Sequence, residues 1–424
     1  MKKTRVVITG VGLVSPIGNN VADFKRSLQN GISGIKFIQE LSNMNFACRI
    51  AGVPEILTPL EEWYYKYGLS VKSDAVSYIL HSGVEAWEHA GFKVNQNENP
   101  DPAVGCIVGT GYGGIDVFLS KVKPAIESGE IKRIGSAVME NWMPSGPATF
   151  LSALLGLGNQ VACNSSACST GTEAIIMAYD RIVTGKASTM LAGGVDIYSP
   201  WAWAGFDAMR LLCRKFNETP ELGSRPMSAT AAGFVPGAGA GILVLENLES
   251  ALQRNALILA EVIGGFINGG AQRNGGSATA PNSMQAKACI SGAITSSGIN
   301  GNEIDLISGH LTSTMADPIE VANWSAVLKR KGKDFPFINS LKSMTGHMIG
   351  AAGAVEIIAA VLQIKDDFVH PSLNCTDVHP TIAEIIDPER IPQKSIFEAG
   401  IKCIIKISLG FGDVNSCVIL KKYS

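Results

Sequence analysis

Short, largely apolar runs rich in β-branched residues alternate along this chain with helix-length stretches, and that alternation leaves few folds open. Residues 5–8, 104–109, 189–193, 241–246, 305–309, 336–338 and 403–408 are expected as strands, and 172–184, 283–297, 318–329 and 354–365 as helices. The strand runs do not alternate apolar with polar residues, so both faces of each strand should be covered. Strands interleaved with helices imply α/β architecture, with a mostly parallel sheet system between helical layers. The first strand leads into Gly10-Val-Gly12-Leu-Val-Ser15, expected as a turn. It has the outline of a dinucleotide fingerprint, but serine stands where the third glycine would allow close helix packing, so a nucleotide role is not supported.

Composition fits a deep interior. Of 424 residues 46% are hydrophobic and only 17% charged, against roughly 25% charged in ordinary soluble domains. With 35 Lys plus Arg against 37 Asp plus Glu, nothing favours nucleic acid or an anionic membrane as partner. The basic start is followed by an apolar run broken at Thr9, Gly10 and Gly12, which fits a buried strand and not a signal peptide. No apolar run approaches the roughly 18 residues a spanning helix needs, and the long one near residue 350 contains Glu356. The nine cysteines are odd in number, scattered and without a CxxC pair, so neither a zinc site nor a disulfide framework is expected. A reducing cytoplasm is the expected location.

Two segments resemble each other. Cys168-Ser-Thr-Gly-Thr-Glu-Ala-Ile-Ile and His347-Met-Ile-Gly-Ala-Ala-Gly-Ala-Val-Glu-Ile-Ile each open a helix with a reactive residue, small residues and an acidic residue before paired isoleucines. An internal duplication follows, with halves 1–250 and 251–424, the first holding the cysteine and the second the histidines and lysine. Low-complexity tracts and long linkers are absent.

The chemistry concentrates at four side chains. Cys168 lies among small residues at the start of a helix, where free N–H groups and the helix dipole favour a thiolate and a bulky acyl group has room to approach. Cys163 is expected within the preceding strand. His310 follows the strand at 305–309 in Ser308-Gly-His-Leu-Thr-Ser-Thr314, and His347 precedes a helix in Leu341-Lys342-Ser-Met-Thr-Gly-His347. Both positions face the crevice of an open α/β sheet, where a neutral imidazole can donate to a substrate carbonyl. Lys342 sits in the same apolar, glycine-rich run.

Together these segments resemble the elongating β-ketoacyl-[acyl-carrier-protein] synthases, the condensing enzymes of fatty acid and polyketide assembly. The resemblance rests on ACSTG around Cys168, GHLTST around His310 and LKSMTGHMIGAAGAVE from Leu341 to Glu356. Further matches are VVITGVGLVSPIG near the start, GTGYGG from Gly109, SRP from Ser224, GFVPGAGAGILVLE from Gly233 and SLGFGDVN from Ser408. It implies a thiolase-like fold, two related halves in a five-layered αβαβα core, as a homodimer or a heterodimer with a related synthase-like subunit. It implies Cys168 as the acyl-accepting nucleophile and His310 and His347 as donors to a malonyl-derived enolate. Lys342 then orients the site, with Glu356 in support. Backbone N–H groups of Cys168 and Leu409 are implied as the oxyanion hole, and Thr312, Thr314, Tyr112 and Phe411 as substrate and pantetheine contacts. The partner is an acyl carrier protein, and no metal or diffusible cofactor is required.

Several positions depart from the family pattern: Leu311 for glycine, Leu409 for the phenylalanine expected as a gate, Asp413 in the terminal turn, Met227 after Pro226, and Ala238. With Tyr112, these departures raise the expectation of an unusual acyl chain, such as a conjugated aryl-polyene primer, a likeness strengthened by Ser199-Pro-Trp-Ala-Trp-Ala-Gly-Phe. A partner subunit lacking catalysis would have lost the nucleophile, which is present here. A thiolase would need a second cysteine in the C-terminal turn, and Cys403 and Cys417 flank that turn without entering it.

Overall fold

The computed structural model describes residues 4–94, 99–280 and 282–424. Ten strands form one hydrogen-bonded series. In the first half they are β1 (Val6–Val14), β2 (Val104–Thr110), β3 (Val161–Ala162), β4 (Thr189–Asp196) and β5 (Gly239–Asn247). In the second half they are β6 (Ala260–Gly269), β7 (Leu306–Ser308), β8 (Phe337–Asn339), β9 (Cys403–Gly410) and β10 (Val414–Lys421). Their spatial order is β8-β7-β9-β10-β6-β1-β5-β4-β2-β3. Read outward from the centre, each half repeats one arrangement. Its first strand pairs antiparallel with its last, the last antiparallel with the fourth, the fourth parallel with the second, and the second parallel with the third. The halves meet through β1 and β6, paired only at Val6–Ile8 with Ala260–Val262.

Six helices complete the repeat. The first half has α1 (Asp74–His89), α2 (Gly146–Leu155) and α3 (Thr170–Val183); the second has α4 (Ser283–Ser297), α5 (Asp317–Leu328) and α6 (Ala352–Asp366). α1 and α2 cover the outer face of the first half and α4 and α5 that of the second, while α3 and α6 touch each other and strands of both halves. This is the αβαβα layering of a thiolase-like fold. The likeness between the Cys168 and His347 segments therefore has a structural meaning: they open the equivalent third helices. The central layer is the most apolar. On α6 every residue from Ala352 to Ile364 is buried, which explains why so little polar surface is needed.

The expected turn at Gly10–Ser15 is instead part of β1. A bulge between Ile8 and Gly10 bends the strand, and α1 lies directly on it. A Cβ at Gly10 would stand 2.1 Å from the Ala86 carbonyl oxygen, and one at Gly12 2.2 Å from that of Ser82. These glycines serve helix-on-strand contact and not phosphate binding. The other expected strands and helices appear with ends shifted by a few residues. Strands β6 and β10 and helices α1 and α2 were not anticipated. α2 is apolar around most of its circumference, which blurs its period, whereas α1 buries Val76, Ile79, Leu80 and Trp87 on one face and its period is readable.

Among the described residues, no helix is long and apolar enough to cross a membrane.

Candidate active site

Cys168 sits on a 3₁₀ turn, Ala167–Ser169, that runs straight into α3. Ala167 has φ +48°, a left-handed conformation that is costly for a residue with a side chain. Thr170 holds it there, its hydroxyl donating to the Ala167 carbonyl at 2.6 Å and accepting the Ser166 N–H at 2.9 Å. Behind the turn, the Ser169 hydroxyl donates to the Ser408 and Val414 carbonyls, both at 3.0 Å. The nucleophile turn is thereby fastened to β9 and β10 of the other half. Cys163 lies just past the end of β3, half-buried.

The sulfur is buried, and burial pushes its thiol up to about 11, with the Lys342 charge and the Phe411 N–H opposing. The expectation of a preformed thiolate is therefore corrected: desolvation outweighs the helix terminus. The backbone N–H that faces the sulfur is that of Phe411, beyond the end of β9. Leu409 lies inside the strand opposite Asn415, and its side chain belongs to the outer core of the second half with Leu311, Met227 and Ile290. Leu409 is therefore not a gate.

The two histidines arrive on separate loops. After β7 the chain makes a tight loop with Leu311 at φ +22° and Ser313 at φ +64°. Two carboxylates from the start of α5 hold it. Glu320 accepts the N–H groups of His310 at 2.7 Å and Leu311 at 2.8 Å, and Asp317 accepts those of Thr312 at 2.9 Å, Ser313 at 3.1 Å and Met227 at 2.9 Å. Leu311 thus holds a positive φ that glycine would adopt without a side-chain penalty. His347 is pinned by its own N–H to the Val235 carbonyl at 2.7 Å. Its Nδ1 accepts the Ile349 N–H at 3.1 Å, which assigns the ring proton to Nε2. Among the described residues, that Nε2 is buried without a hydrogen-bond partner, as is Nδ1 of His310. The two rings meet edge to face at 5.4 Å between centroids.

One donor atom each from Cys168, His310 and His347 lies within 4.8 Å of the others. Burial first, then the Lys342 charge, holds both imidazoles well below the ordinary histidine range, so both are neutral at physiological pH. The same three atoms could take a soft divalent cation, which would compete with an acyl group for the sulfur.

Lys342 is buried, and its ammonium bonds Glu356 Oε1. Glu356 thus supports Lys342, and its other oxygen lies 2.8 Å from Lys406 Nζ, a residue that sequence reasoning passed over as one polar position in an apolar strand. Asp196 was missed too. It ends β4 fully buried, and burial pushes it up to about 6. It accepts N–H groups from Gly350 at 2.7 Å, Gly111 at 3.0 Å and Tyr112 at 3.2 Å, and the Thr110 hydroxyl at 3.0 Å. One carboxylate therefore joins the Tyr112 loop to the loop after His347. An acidic residue closing an apolar strand was its only sequence signal.

Beside His347, aromatic rings meet edge to face in series: His347 with Phe234 at 5.5 Å, Phe234 with Phe206 at 5.5 Å, and Phe206 with Phe411 at 5.8 Å. Tyr112 packs partly buried against the Phe234 cluster. Thr312 and Thr314 pair hydroxyls at 3.0 Å, and Thr314 lines a cleft of about 320 Å³ with Met227, Ala229 and His379. Asp413 is a structural staple, accepting the N–H groups of Gln272 at 3.0 Å and Asn282 at 2.9 Å. Asp413 thus holds two loops together, and the Leu311 side chain packs in the outer core of the second half.

A thiol, two neutral imidazoles and a buried lysine held by two pseudo-equivalent halves have clear parallels among known proteins. Residues 3–251 match the model for the beta-ketoacyl synthase N-terminal domain, and 259–376 that for the C-terminal domain. The chain is 33% identical to 3-oxoacyl-[acyl-carrier-protein] synthase 2 of Vibrio cholerae, over 100% of both chains. It is 34% identical to synthase 1 of Haemophilus influenzae, over 99% of both. Among solved structures, a beta-ketoacyl synthase from Burkholderia phymatum superposes with a TM-score of 0.89 at 28% identity, covering 99% of this chain and 100% of that one. The ishigamide ketosynthase/chain length factor superposes at 0.86 with 27% identity, over 100% of both. In length, fold and motif order, the chain belongs to the β-ketoacyl synthase family.

Proposed function

We propose that this enzyme elongates carrier-bound acyl chains at Cys168, with His310 and His347 as the donors that stabilise the malonyl-derived enolate. The observation that carries this is the meeting of the sulfur with two neutral, buried imidazoles, each keeping an unpartnered ring nitrogen. Sulfur attack on an acyl thioester forms the acyl–cysteine bond and releases the carrier thiol with the proton. The malonyl thioester then loses carbon dioxide, and the electrons of the broken C–C bond pass to an enolate. His347 Nε2–H and His310 donate to its oxygen, where neutral donors in a dry site are most effective. The enolate carbon attacks the acyl-cysteine carbonyl, whose oxyanion receives the N–H groups of Cys168 and Phe411, and the cysteine leaves and is reprotonated. Lys342, fixed by Glu356, supplies positive charge as negative charge develops. No metal or diffusible cofactor enters this sequence.

The donor and acceptor chains come on an acyl carrier protein, whose pantetheine arm runs past Thr312 and Thr314. A related structure at 27% identity is described as a type II polyketide synthase acyl-carrier protein in complex with its ketosynthase, which supports this partner. A reducing cytoplasm suits the reactive thiol, and pairing with a second synthase-like subunit fits the interior-rich composition. The acyl chain passes Tyr112, Phe206 and Phe411, so these aromatics, and not Leu409 or Leu311, select it. Parallel elongation of carrier-bound saturated, polyunsaturated and aryl-primed chains tests the substrate class. Equal turnover on saturated chains assigns ordinary fatty-acid elongation, and a strong preference for conjugated or aryl primers assigns a pigment-type pathway. Failure to extend any carrier-bound chain would overturn the function.

A further inference from the structure

Among the buried ionisable groups, Lys406 has no place in the steps above. It projects from β9 with no exposed surface, in a strand otherwise built from Ile404, Ile405 and Ile407. Burying an ammonium is expensive without compensation. Its Nζ reaches Glu356 Oε2 at 2.8 Å and Ser408 Oγ at 3.2 Å, and it donates to the Ile407 carbonyl. Ser408 Oγ in turn lies 2.9 Å from Thr172 Oγ1, on the first turn of α3 and four residues past the nucleophile. Without Lys406, Lys342 and Glu356 are a closed, neutral ion pair. With it, one carboxylate is shared by two ammonium groups, and the cluster carries one net positive charge beside the imidazoles.

We propose that Lys406 is a positioning residue for condensation: by sharing Glu356 it converts a neutral ion pair into a cationic cluster that favours the developing enolate, while tying α3 to β9. The charges that act on the two imidazoles are those of Lys342 and Lys406, and the Cys168 sulfur lies within reach of both rings. Glu356 stands behind the lysines, Glu320 holds the His310 backbone, and Asp196 bonds Gly350 beyond His347. A positive charge disfavours a nearby imidazolium. Removing it raises both imidazole pKa values, so activity that requires neutral rings is lost at higher pH as the solution is acidified.

The inference rests on the condensing role proposed above. The experiment compares malonyl-carrier decarboxylation by wild type, Lys406→Met, Lys406→Gln and Lys406→Arg across pH 5–9 (about the range histidine tuning can reach). In the two neutral variants kcat at pH 7 should fall about ten-fold, with KM little changed, and the acidic limb should move up by about one pH unit. Lys406→Arg should hold the limb at the wild-type position. If the methionine variant does not fold, the glutamine variant, which keeps a donor for Ser408, gives the same comparison. A lowered melting temperature with an unmoved acidic limb in the folded neutral variants would reduce Lys406 to a packing residue and overturn the proposal. Absence of decarboxylation in wild type itself would instead overturn the condensing role.

Discussion

At the scale of single residues, the site works through desolvation. The same burial that raises the Cys168 thiol keeps His310 and His347 unprotonated, so nucleophile and donors rest in their neutral forms. Lys342 opposes the first effect and reinforces the second. Replacing Lys342 with methionine should therefore raise the Cys168 pKa further and leave less thiolate at any pH below it. Alkylation of Cys168 by iodoacetamide at pH 8 should slow about ten-fold, with the pH midpoint moving upward; an unchanged profile would mean that Lys342 does not act on the sulfur. In the proposed mechanism the histidines act at a different step. His310→Ala or His347→Ala should cost about 100- to 1000-fold in malonyl decarboxylation and much less in acyl transfer to Cys168. Release of carbon dioxide from labelled malonyl carrier, set beside acylation followed by mass spectrometry, separates the two.

At the scale of elements, the reactive groups sit on strained or crowded turns that other elements force into place. The loop after β7 accepts a leucine at positive φ because two carboxylates of α5 hold its N–H groups and because the Leu311 side chain fills the outer core. Leu311→Gly should relieve the backbone yet lose that packing, for a net destabilisation of about 2–4 kcal/mol. Urea unfolding reads the loss, and the ratio of activities on long and short primers should not change. A changed ratio would restore Leu311 to the acyl channel. The central helices approach closely as well: a Cβ at Gly171 would lie 2.8 Å from the Ala354 nitrogen, so the glycine next to the nucleophile segment is required by the α3–α6 contact. The positions of Cys168, His310, Lys342 and His347 were legible because each stands in a dense local motif. Lys406 and Asp196 were not, since each meets its partners through residues far away in sequence. That the Phe411 N–H faces the sulfur was not legible either, because it depends on where β9 ends.

At the scale of the whole molecule, catalysis depends on two halves with the same strand order facing each other across α3 and α6. The strand–helix alternation and the paired helix-opening motifs made that plan readable in the sequence. The glycines of β1 were misread as a turn because close helix packing and turn formation select the same residue. In the proposed mechanism the halves supply complementary chemistry, a nucleophile from the first and donors and cations from the second, so neither alone would complete a condensation. The most direct test is to charge the purified protein with an acyl-carrier thioester, map the adduct by peptide mass spectrometry, and then add malonyl carrier. The account predicts acylation at Cys168, discharge on malonyl addition to a 3-ketoacyl product two carbons longer, and loss of both events in Cys168→Ala. Elongation by the Cys168→Ala variant, or an acyl adduct on another residue that discharges to product, would contradict it.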